Sequence, residues 1–452
     1  MGFCKAYDMR GTFGVDFDLD MVEAVGRSIP GKLDARRVLV GRDARITSPD
    51  VAAALVRGLE KGGAKVVDMG LATTPMVYFF TAEDGFDASV MVTASHNPPG
   101  DNGLKVSSRG ALPVAGTAFE EICSGMSVNG GAREAHGAAS GTDGEFLERY
   151  ISWLKANAGD DPQARGLRFA VDCSDGMASL LAHRLFAESA VYLNDVPDGR
   201  YPHHSPNPLL PEAREQVSRA VVERGLDFGF IFDGDADRVM VVDEKGTFIQ
   251  PDYLIPTIAS TFDEPGAAVI HDVRTSRAAI EAIRDNGKIP VMGRVGHAFA
   301  KVLLRKTRAV CGGELAGHYY FRDFHFCDSA AFAALRLLKA FGGFKAKGLS
   351  VGEAMAPMIG RYANSGEINL KVKDKAEATK LLLATASHFG NSTGCDTTDG
   401  TRLEFSEGWV SVRESNTEPY LRLILECDRA ERLDKWRGAM DKALRDSGIM
   451  AE

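Results

Sequence analysis

A polar, turn-rich block at residues 93–105 contains the hydroxyl that is best placed for chemistry. The block follows an apolar run at 87–92 that is typical of a buried strand. Its Pro, Gly and Asn residues predict a tight turn, because Pro fixes φ and Gly and Asn accept positive φ. Ser95 would stand at the end of this strand with His96 next to it, and Lys105 can bring a positive charge beside it. We therefore expect an exposed, functional hydroxyl, with an ordinary surface loop as the alternative.

Three carboxylates stand at alternate positions of a second tight loop, namely Asp233, Asp235 and Asp237, and Arg238 follows them. Apolar, β-prone segments at 226–232 and 239–242 flank the loop and predict a strand, a tight loop and a strand. Carboxylates this close repel one another strongly unless a cation lies among them. The pattern therefore predicts a metal-binding loop, and the alternative is a solvated acidic hairpin tip.

The same loop matches part of the EF-hand calcium pattern. Its positions 1, 3, 5 and 12 would be filled by Asp233, Asp235, Asp237 and Glu244. Position 6 of that pattern requires glycine, and this chain has Arg238 there. The flanks are strand-like, whereas an EF-hand needs a helix on either side. We therefore reject the EF-hand interpretation.

A third polar cluster offers the groups that bind a phosphate. It comprises Arg413, Ser415, Asn416 and Thr417, and a strand-like run follows it at 420–425. A guanidinium, two hydroxyls, an amide and several backbone N–H groups suit the three oxygens of a phosphate. A plain turn rich in Ser, Asn and Thr is the alternative.

Taken together, these clusters resemble the α-D-phosphohexomutase family, and within it the bacterial and archaeal phosphomannomutase/phosphoglucomutase branch. A fourth family motif, which contacts sugar hydroxyls, is similar to residues 313–318 and supplies Glu314 and His318. The family's N-terminal motif is similar to residues 6–11. The motifs occur in the family's order and extend over nearly the whole chain.

The resemblance implies an isomerase that moves a phosphoryl group between the 1- and 6-positions of a hexose phosphate, with mannose, glucose or both as the sugar. A hexose 1,6-bisphosphate would be the intermediate and activator, formed from a hexose 1-phosphate or 6-phosphate. Ser95 would carry the phosphoryl group. One Mg²⁺ per chain would be held by Ser95, Asp233, Asp235 and Asp237. The distal phosphate would be bound by Arg413, Ser415, Asn416 and Thr417.

Further site residues follow from the same resemblance. Arg10, Lys105 and Arg238 would stabilise negative charge during phosphoryl transfer. Tyr7, Arg274 and His297 would line the substrate cleft. Arg274 stands where relatives often have lysine, so the charge is kept and the geometry differs. The general base is left open between His96, Lys105 and another group.

One departure from the family pattern concerns the sugar. The loop usually has serine two residues after its glutamate, and this chain has Ala316, so one hydroxyl contact is missing. Asn416 favours the mannose and glucose branch, since glucosamine relatives more often have glycine there. The alternatives are a phosphoglucosamine mutase, a phosphatase that uses Ser95 transiently, and a non-catalytic sugar-phosphate sensor. A sensor would need neither Ser95 nor the three aspartates.

Composition agrees with a soluble globular protein, and the oligomeric state is left open between a monomer and a homodimer. The net charge of −9 over 452 residues offers no footprint for nucleic acid or an anionic membrane, and no apolar run is long enough to span a bilayer. The N-terminus lacks the apolar segment of a signal peptide, which predicts a cytoplasmic protein. The seven cysteines are scattered and never form a C-x-x-C pair, so we expect reduced thiols with no disulfide and no zinc site.

The elements that must position these residues recur along the chain. Apolar runs at 37–43, 167–172 and 267–272 each end at an Asp-containing turn, and a helix-like stretch and a second apolar run follow. This alternation predicts α/β layers, with ligand groups gathered where strands end. We therefore expect three related α/β domains with mixed, largely parallel sheets, plus a C-terminal α+β domain. The resemblance implies that these four domains surround a central cleft.

The predicted domains carry one motif each. They are a phosphoserine domain at 1–153, a metal-binding domain at 154–251, a sugar-recognition domain at 252–361 and a phosphate-binding domain at 362–452. A stretch rich in Gly, Ala and Ser at 124–144 is a predicted loop or insertion near the end of the first domain.

Overall fold

The computed structural model describes residues 3–5, 7–124, 144–158, 166–186, 190–414 and 420–451. Their strands form four sheets, of which the first three share one plan. In each of these, the second strand from one edge has a parallel neighbour on both sides. The neighbour on the inner side is followed along the chain by a strand that pairs antiparallel with it. The prediction of mixed α/β sheets is thereby confirmed.

The first sheet consists of β1 (Met9–Thr12), β2 (Arg37–Arg42), β3 (Lys65–Leu71), β4 (Ala88–Val92), β5 (Asp101–Ser108) and β6 (Leu112–Pro113). Its order is β3-β2-β4-β5-β1, and β6 pairs with β5. The accompanying helices are α1 (Leu19–Leu33), α2 (Ser48–Lys61), α3 (Thr74–Glu83) and α4 (Thr117–Ser124). Every residue of β4 is buried, as expected of a strand that is covered on both faces.

The second sheet consists of β7 (Phe169–Asp172), β8 (Ala190–Leu193), β9 (Phe228–Phe232), β10 (Val239–Asp243) and β11 (Phe248–Ile249), in the order β8-β7-β9-β10-β11. Its helices are α5 (Gly144–Ala158), α6 (Ala182–Phe186) and α7 (Pro211–Arg224). All residues of β9 and β10 are buried, so both arms of the hairpin that carries the acidic loop are anchored in the core.

The third sheet consists of β12 (Ala268–Asp272), β13 (Ile289–Gly293), β14 (Cys311–Gly313), β15 (Tyr319–Phe321) and β16 (Cys327–Asp328), in the order β13-β12-β14-β15-β16. Its helices are α8 (Pro251–Ala259), α9 (Arg277–Asp285), α10 (His297–Thr307), α11 (Ala330–Ala346) and α12 (Val351–Ile359). Side-chain caps fix several helix starts, because they bond backbone N–H groups that a helix leaves unpaired. The caps are Thr73 at α3, Ser276 at α9, Ser329 at α11 and the Ser350–Glu353 capping box at α12.

The fourth sheet is antiparallel throughout. It consists of β17 (Ala363–Asn364), β18 (Ile368–Leu370), β19 (Ser392–Asp396), β20 (Thr401–Phe405), β21 (Gly408–Glu414) and β22 (Leu421–Cys427). Helices α13 (Lys375–Ala386) and α14 (Ala430–Ser447) accompany it, so the predicted α+β class of this part is confirmed. The strand-like region at 401–412 comprises two strands, β20 and β21, joined by a turn at 406–407.

The three functional loops of the first three sheets occupy one topological position. Each joins a parallel strand to the antiparallel strand that follows it: 93–100 between β4 and β5, 233–238 between β9 and β10, and 314–318 between β14 and β15. The internal repeat recognised in the sequence therefore extends to the placement of the predicted site residues.

A shared apolar core joins the first three sheets. One cluster of buried side chains contains Leu39 from the first sheet, Phe169 and Phe230 from the second, and Phe321 from the third. Burying a side chain of this size contributes about 1.5–3 kcal/mol. This shared core holds the three loop-bearing sheets against one another, so their loops can meet in one place.

Two cysteines contradict the prediction of reduced thiols throughout. Cys4 and Cys123 form a disulfide, with their Cα atoms 6.5 Å apart and a sequence separation of 119. The backbone of Cys4 forms an isolated antiparallel β-bridge with Met9, the first residue of β1. Cys123 lies on α4, which packs on α1. The fold brings these segments together, and spacing along the sequence does not record it. The other five cysteines are free thiols, of which Cys395 is exposed.

Some predictions fall on residues that the structure does not describe. They are Ser415, Asn416 and Thr417 of the phosphate clamp and residues 125–143 of the predicted insertion. The proposed domain boundaries also stay predictions. Among the described residues, no helix is both long enough and apolar enough to cross a bilayer.

Helices α1 and α2 cross closely at two glycines. A Cβ added to Gly58 would lie 2.2 Å from Glu23 O, and one added to Gly26 would lie 2.5 Å from Leu55 O. We predict that Gly58→Ala destabilises the protein by about 1–3 kcal/mol, because the helices must move apart. This loss should exceed the gain of about 1 kcal/mol in helix propensity.

Gly438→Ala in α14 is the matched control, since nothing lies within 4 Å of the added Cβ. It should be neutral or stabilising. The measurement is the urea midpoint of each variant by circular dichroism. Equal midpoints for the two variants would contradict the close crossing.

Candidate active site

Ser95 lies just after β4, with its hydroxyl directed to the acidic loop of the second sheet. Its Oγ donates to Asp233 Oδ2 at 2.9 Å and lies 3.3 Å from His96 Nδ1. Its backbone N–H donates to Thr93 Oγ1 at 2.8 Å. The side chain is buried, so the expected exposed hydroxyl is wrong. The reason is close packing by the acidic loop, since a Cβ added to Gly234 would lie 2.6 Å from Ser95 O.

The three aspartates of the acidic loop are buried and face two cations. Lys105 Nζ lies 2.6 Å from Asp235 Oδ2 and 2.6 Å from Asp237 Oδ2. Arg238 Nε lies 3.8 Å from Asp233 Oδ2 and 3.8 Å from Asp237 Oδ1. Because Lys105 comes from β5, these ion pairs join the first sheet to the second across the site.

Burial and mutual repulsion perturb these carboxylates. Burial raises the pKa of Asp233 well above its usual value, and the charges of Asp237 and Asp235 add to the effect. Burial acts to raise the pKa of Asp237, but Lys105, His318 and Arg238 together outweigh it and lower the pKa of that carboxyl. Burial is the largest cause of the raised pKa of Asp233, so this carboxyl would ionise more readily with a further cation beside it.

The acidic loop has the donor set of a metal site. One ligand oxygen from each of Asp233, Asp235 and Asp237 can be chosen so that all lie within 4.8 Å of one another. Asp235 Oδ1 and Asp237 Oδ1 are buried and have no hydrogen-bond partner among the described residues. Buried carboxylate oxygens normally have such partners, and carboxylate oxygens are ligands that hard divalent cations prefer. The residues therefore fit the metal site that the sequence predicted.

Neighbouring turns hold the acidic loop in place. At the start of α3, Thr74 donates from its backbone N–H to Asp235 O at 3.0 Å and from Oγ1 to Asp235 Oδ2 at 2.5 Å. Met177 N donates to Gly234 O at 2.9 Å. Ser174 Oγ donates to the carbonyl of Phe232, the last residue of β9, at 2.6 Å. Supports from two sheets thus fix the loop's backbone.

A chain of buried charges from the third sheet orients Arg238. Arg238 Nε donates to His318 Nε2 at 3.0 Å, so the ring proton of His318 is on Nδ1 and is donated to Asp328 Oδ2 at 2.9 Å. Lys301 Nζ lies 2.9 Å from Asp328 Oδ1. Asp237, His318 and Asp328 also have the spacing of metal ligands. Because Arg238 and Lys301 already engage their acceptors, we interpret this group as a charge network.

The loop at residues 314–318, which matches the family's sugar motif, is called the sugar loop here. Two hydrogen-bond donors hold its Glu314 side chain. Its Oε1 accepts from Gly296 N at 2.5 Å, and its Oε2 accepts from Tyr320 OH at 2.6 Å. Its backbone N–H donates to His318 O at 3.0 Å, which closes the loop on itself. Ala316 lies between Glu314 and His318 in the sequence, and its methyl group supplies no hydrogen bond. The loop therefore presents a fixed carboxylate and an imidazole.

Tyr7 and His297 lie together beside this loop. Their rings meet edge-on with centroids 4.9 Å apart, and a Cβ added to Gly296 would lie 2.7 Å from Tyr7 OH. Burial raises the pKa of Tyr7 to about 12. Burial also lowers the pKa of His297 well below its usual value, and the charge of Lys301 adds to this. Neither ring nitrogen of His297 has a hydrogen-bond partner among the described residues, so a neutral imidazole can receive a ligand.

A second cluster forms around Glu367, where the fourth sheet meets the third. Arg274 Nη1 lies 3.4 Å and Arg413 Nη2 lies 3.7 Å from Glu367 Oε2. Arg422 Nη1 lies 2.5 Å from Glu367 Oε1. Three guanidinium groups meet at one carboxylate, while Asp272 also pairs with Arg274 and Asp399 lies 4.0 Å from Arg413. Several guanidinium forks directed to one place suit the oxygens of a phosphate.

The turn after β12 connects this cluster to the sugar loop. Arg274 Nη2 lies 2.5 Å from Asp272 Oδ2, and the same oxygen accepts from Leu315 N at 3.1 Å. Arg413 lies on β21 and is almost fully buried. The structure thus links Arg274 and Arg413 through Glu367, while Ser415, Asn416 and Thr417 lie outside the described residues.

Most of the predicted site residues therefore lie in two connected clusters. The first contains Ser95, His96, Lys105, Asp233, Asp235, Asp237, Arg238 and His318. The second contains Arg274 and Arg413, around Glu367. Arg10 lies on β1, next to β5, and its Nη2 is 2.8 Å from Asp8 Oδ2. Sequence analysis missed the supporting residues Thr74, Asp328, Lys301, Tyr320 and Glu367. Their contacts span long sequence separations or belong to no motif, so the sequence offered no signal for them.

Protein-family models match the chain in four consecutive segments. They are phosphoglucomutase/phosphomannomutase alpha/beta/alpha domain I at residues 3–129, domain II at 146–246, domain III at 250–362 and the C-terminal domain at 367–443. The chain belongs to the phosphoglucomutase/phosphomannomutase family. The resemblance recognised in the motifs is confirmed, together with the fold class.

Individual relatives agree with this membership. A phosphomannomutase of Salmonella montevideo is 35% identical over 440 residues, which cover 93% of this chain and 94% of that protein. A protein of Xanthomonas campestris pv. campestris described as phosphohexose mutases is 36% identical over 432 residues, with 93% and 94% covered. A crystal structure of a phosphoglucomutase/phosphomannomutase family protein from Burkholderia thailandensis has a TM-score of 0.83 and 29% identity, and covers 100% of this chain and 98% of that chain. The prediction of a phosphohexomutase, an isomerase acting on hexose phosphates, is thereby confirmed.

Two adjacent tyrosines allow a matched test of the sugar loop. We predict that Tyr320→Phe raises the KM for hexose phosphates, because Glu314 loses one of the two donors that orient it. It should also lower stability by about 1–3 kcal/mol, since a buried carboxylate loses a hydrogen bond. The measurement is steady-state kinetics together with urea unfolding.

Tyr319→Phe is the control. Its hydroxyl donates to Pro251 O at 3.2 Å and does not touch the sugar loop. This variant should lose stability without a change in KM. A similar KM for both variants would contradict the assigned role of Tyr320.

Proposed function

We propose that this phosphohexomutase interconverts the 1- and 6-phosphates of mannose, glucose or both, through a phosphorylated Ser95 and a hexose 1,6-bisphosphate. The observation that carries the proposal is the contact of Ser95 Oγ with Asp233 at 2.9 Å. A phosphoryl group on that oxygen would add a charge of about −2 beside the acidic loop. Lys105 and Arg238 lie against the same loop and would balance part of it.

One Mg²⁺ per chain would be held by Asp233, Asp235, Asp237 and an oxygen of phosphorylated Ser95. Mg²⁺ is typically bound by one or two carboxylates together with phosphate oxygens. When bound, it would neutralise the phosphoryl group and polarise it for transfer. The buried carboxylate oxygens of Asp235 and Asp237 that lack hydrogen-bond partners support this ligand set.

The substrate would lie between the two clusters. Glu314 and His318 would contact sugar hydroxyls, and Tyr7 and His297 would line the same side of the cleft. Arg274 and Arg413, with the predicted contribution of Ser415, Asn416 and Thr417, would bind the distal phosphate. A hexose bisphosphate has two phosphates, so the same clamp would serve either of them after the intermediate has turned over.

Proton transfer favours His96 over Lys105 as the general base. Burial acts to lower the pKa of Lys105, but Asp235 and Asp237 outweigh it and raise that pKa, so Lys105 keeps its proton. Burial lowers the pKa of His96 well below its usual value, and the charge of Arg238 adds to the effect. The imidazole is therefore neutral and lies 3.3 Å from Ser95 Oγ, whereas a protonated Lys105 has no lone pair. The negative charge of a phosphoryl group on Ser95 would raise the pKa of His96 and let it take a proton. Lys105, Arg10 and Arg238 would then stabilise the charge on the transferring group.

Ala316 is the observation that favours a second candidate, a phosphoglucosamine mutase. The assay offers mannose, glucose and glucosamine 1-phosphates, each with a trace of its 1,6-bisphosphate, and follows both the 6-phosphate and free phosphate. We expect 6-phosphate from mannose or glucose and no release of phosphate. A preference for the amino sugar would favour the second candidate. Released phosphate would indicate a phosphatase, and binding without turnover would indicate a sensor.

We predict that Ser95→Ala abolishes mutase turnover while the protein stays folded and still binds hexose phosphate. The wild-type protein should gain one phosphate from a hexose 1,6-bisphosphate in intact-mass spectrometry, and the variant should gain none. Ser108→Ala, at the end of β5, is the control and should behave as wild type. Near-normal turnover by Ser95→Ala would show that another group carries the phosphoryl group.

Metal binding by the acidic loop is tested with Asp235→Asn. We predict that this change weakens Mg²⁺ binding at least about tenfold, because one charged ligand is lost. Glu244→Gln is the control, since Glu244 accepts from Ser350 Oγ at 2.7 Å and from Gly352 N at 2.8 Å instead of facing the loop. Titration calorimetry measures both variants. Calcium binding that depends on Glu244 would favour the EF-hand interpretation.

A further inference from the structure

Arg45 lies beneath the loop at residues 93–100, which contains Ser95 and is called the serine loop below. Its side chain is fully buried. Its Nη atoms donate to the carbonyl groups of Pro98 at 2.6 Å, Asp101 at 2.9 Å, Ser95 at 2.9 Å and Asn97 at 2.7 Å. The remaining N–H group, on Nε, faces Asp43 Oδ2 at 3.2 Å. The four Nη N–H donors of this guanidinium are therefore all used by backbone carbonyl groups, whereas the Nε–H is in an ion pair and makes no hydrogen bond to the described residues.

The serine loop needs these donors because its backbone turns inward. Ser95 has φ 54, a left-handed conformation that costs an L-residue roughly 1–2 kcal/mol. Four carbonyl groups between residues 95 and 101 converge on one side chain, and a buried carbonyl without a donor costs about 1–3 kcal/mol. A planar guanidinium serves all four at once, whereas a lysine ammonium has three donors and no fixed plane.

Arg45 also lies next to the support of the acidic loop. Its guanidinium carbon is 5.2 Å from the centre of the Tyr201 ring. A Cβ added to Gly234, in the acidic loop, would lie 2.9 Å from Tyr201 OH and 2.6 Å from Ser95 O. The serine loop, Arg45, Tyr201 and the acidic loop are thus in mutual contact. A shift of Arg45 would change the separation of Ser95 Oγ and Asp233.

The repeat of the fold gives Arg45 a counterpart in the third sheet. Asp43 comes directly after β2, and Asp272 is the last residue of β12. Each is followed two positions later by an arginine, Arg45 or Arg274. In both turns the aspartate accepts the backbone N–H of the arginine, at 3.0 Å for Arg45 and 2.7 Å for Arg274. Arg274 then extends to Glu367 in the phosphate cluster, whereas Arg45 turns to the functional loop of its own sheet. The same turn therefore serves the substrate in one sheet and the reactive serine in the other.

We propose that Arg45 is a positioning residue for phosphoryl transfer, which fixes residues 95–101 and thereby the place of Ser95 Oγ against the acidic loop. The proposal rests on the proposed role of Ser95 as the phosphoryl carrier. Loss of Arg45 slows transfer to and from Ser95. It leaves substrate binding largely intact, because Glu314, His318 and Arg413 lie on other sheets.

Arg45→Lys tests this role, since it keeps the charge and cannot serve four carbonyl groups. We expect kcat to fall about 100-fold, the effect of a displacement of about 1 Å. The KM for hexose 1-phosphate should stay within about threefold of wild type. The rate at which a hexose 1,6-bisphosphate phosphorylates Ser95, followed by intact mass, should fall by the same factor as kcat.

Arg402→Lys is the matched control for replacing a buried arginine. Arg402 is almost fully buried and donates to Val273 O at 2.7 Å and Thr275 O at 3.0 Å, on both sides of Arg274. This variant should lower Tm and can weaken binding of the distal phosphate, but at saturating bisphosphate it should leave the phosphorylation rate of Ser95 unchanged. If Arg45→Lys does not fold, Asp43→Asn replaces it. The new amide nitrogen would oppose the Nε–H of Arg45, and kcat should fall about tenfold with KM unchanged.

Two results would overturn the proposal. One is an Arg45→Lys or Asp43→Asn variant that loses thermal stability and still phosphorylates Ser95 at the wild-type rate. The other is a raised KM with unchanged kcat. Wild-type protein that takes no phosphate from the bisphosphate would instead overturn the proposed role of Ser95, whatever the variants do.

Discussion

The rest of the site depends on the repulsion among three buried carboxylates on one short turn. Asp233, Asp235 and Asp237 cannot stay ionised together unless positive charge surrounds them. That charge comes from Lys105 of the first sheet and from Arg238, which His318 of the third sheet orients. Neutralising the turn therefore draws three sheets together, and Ser95, the proposed phosphoryl carrier, lies at their junction. The same cations are therefore needed for the stability of the folded protein and for the proposed phosphoryl transfer.

The repeated topology explains how distant parts of the chain meet this demand. The serine loop, the acidic loop and the sugar loop each join a parallel strand to the following antiparallel strand of their own sheet. Their sheets share one apolar core, so the orientation of each sheet fixes the direction of its loop. The fourth sheet contributes differently, through Arg413 and Arg422, which meet Arg274 at Glu367. This carboxylate couples the phosphate clamp to the turn that supports the sugar loop.

Sequence reasoning located the residues whose neighbours along the chain reveal their chemistry. Ser95 stands in a turn with a distinctive composition, and the aspartates alternate within one loop between two apolar strands. The supporting contacts could not be predicted in this way. Thr74 and Asp235 are 161 residues apart, and Cys4 and Cys123 are 119 apart, so only the packing of sheets brings them together. Arg45 did have a signal in the sequence, because an Asp-x-Arg pattern occurs at the end of β2 and again at the end of β12. The comparison of these two sheets as repeats of one plan reveals its meaning.

The most direct test of the account follows the substrate's own phosphate through a single turnover. Enzyme phosphorylated on Ser95 is mixed with hexose 1-phosphate whose phosphate carries a heavy-oxygen label, and the peptide that contains Ser95 and the 6-phosphate product are weighed. The account predicts that the label moves to Ser95 and that the product carries the enzyme's unlabelled phosphate. A product that keeps the label, with none on Ser95, would contradict it.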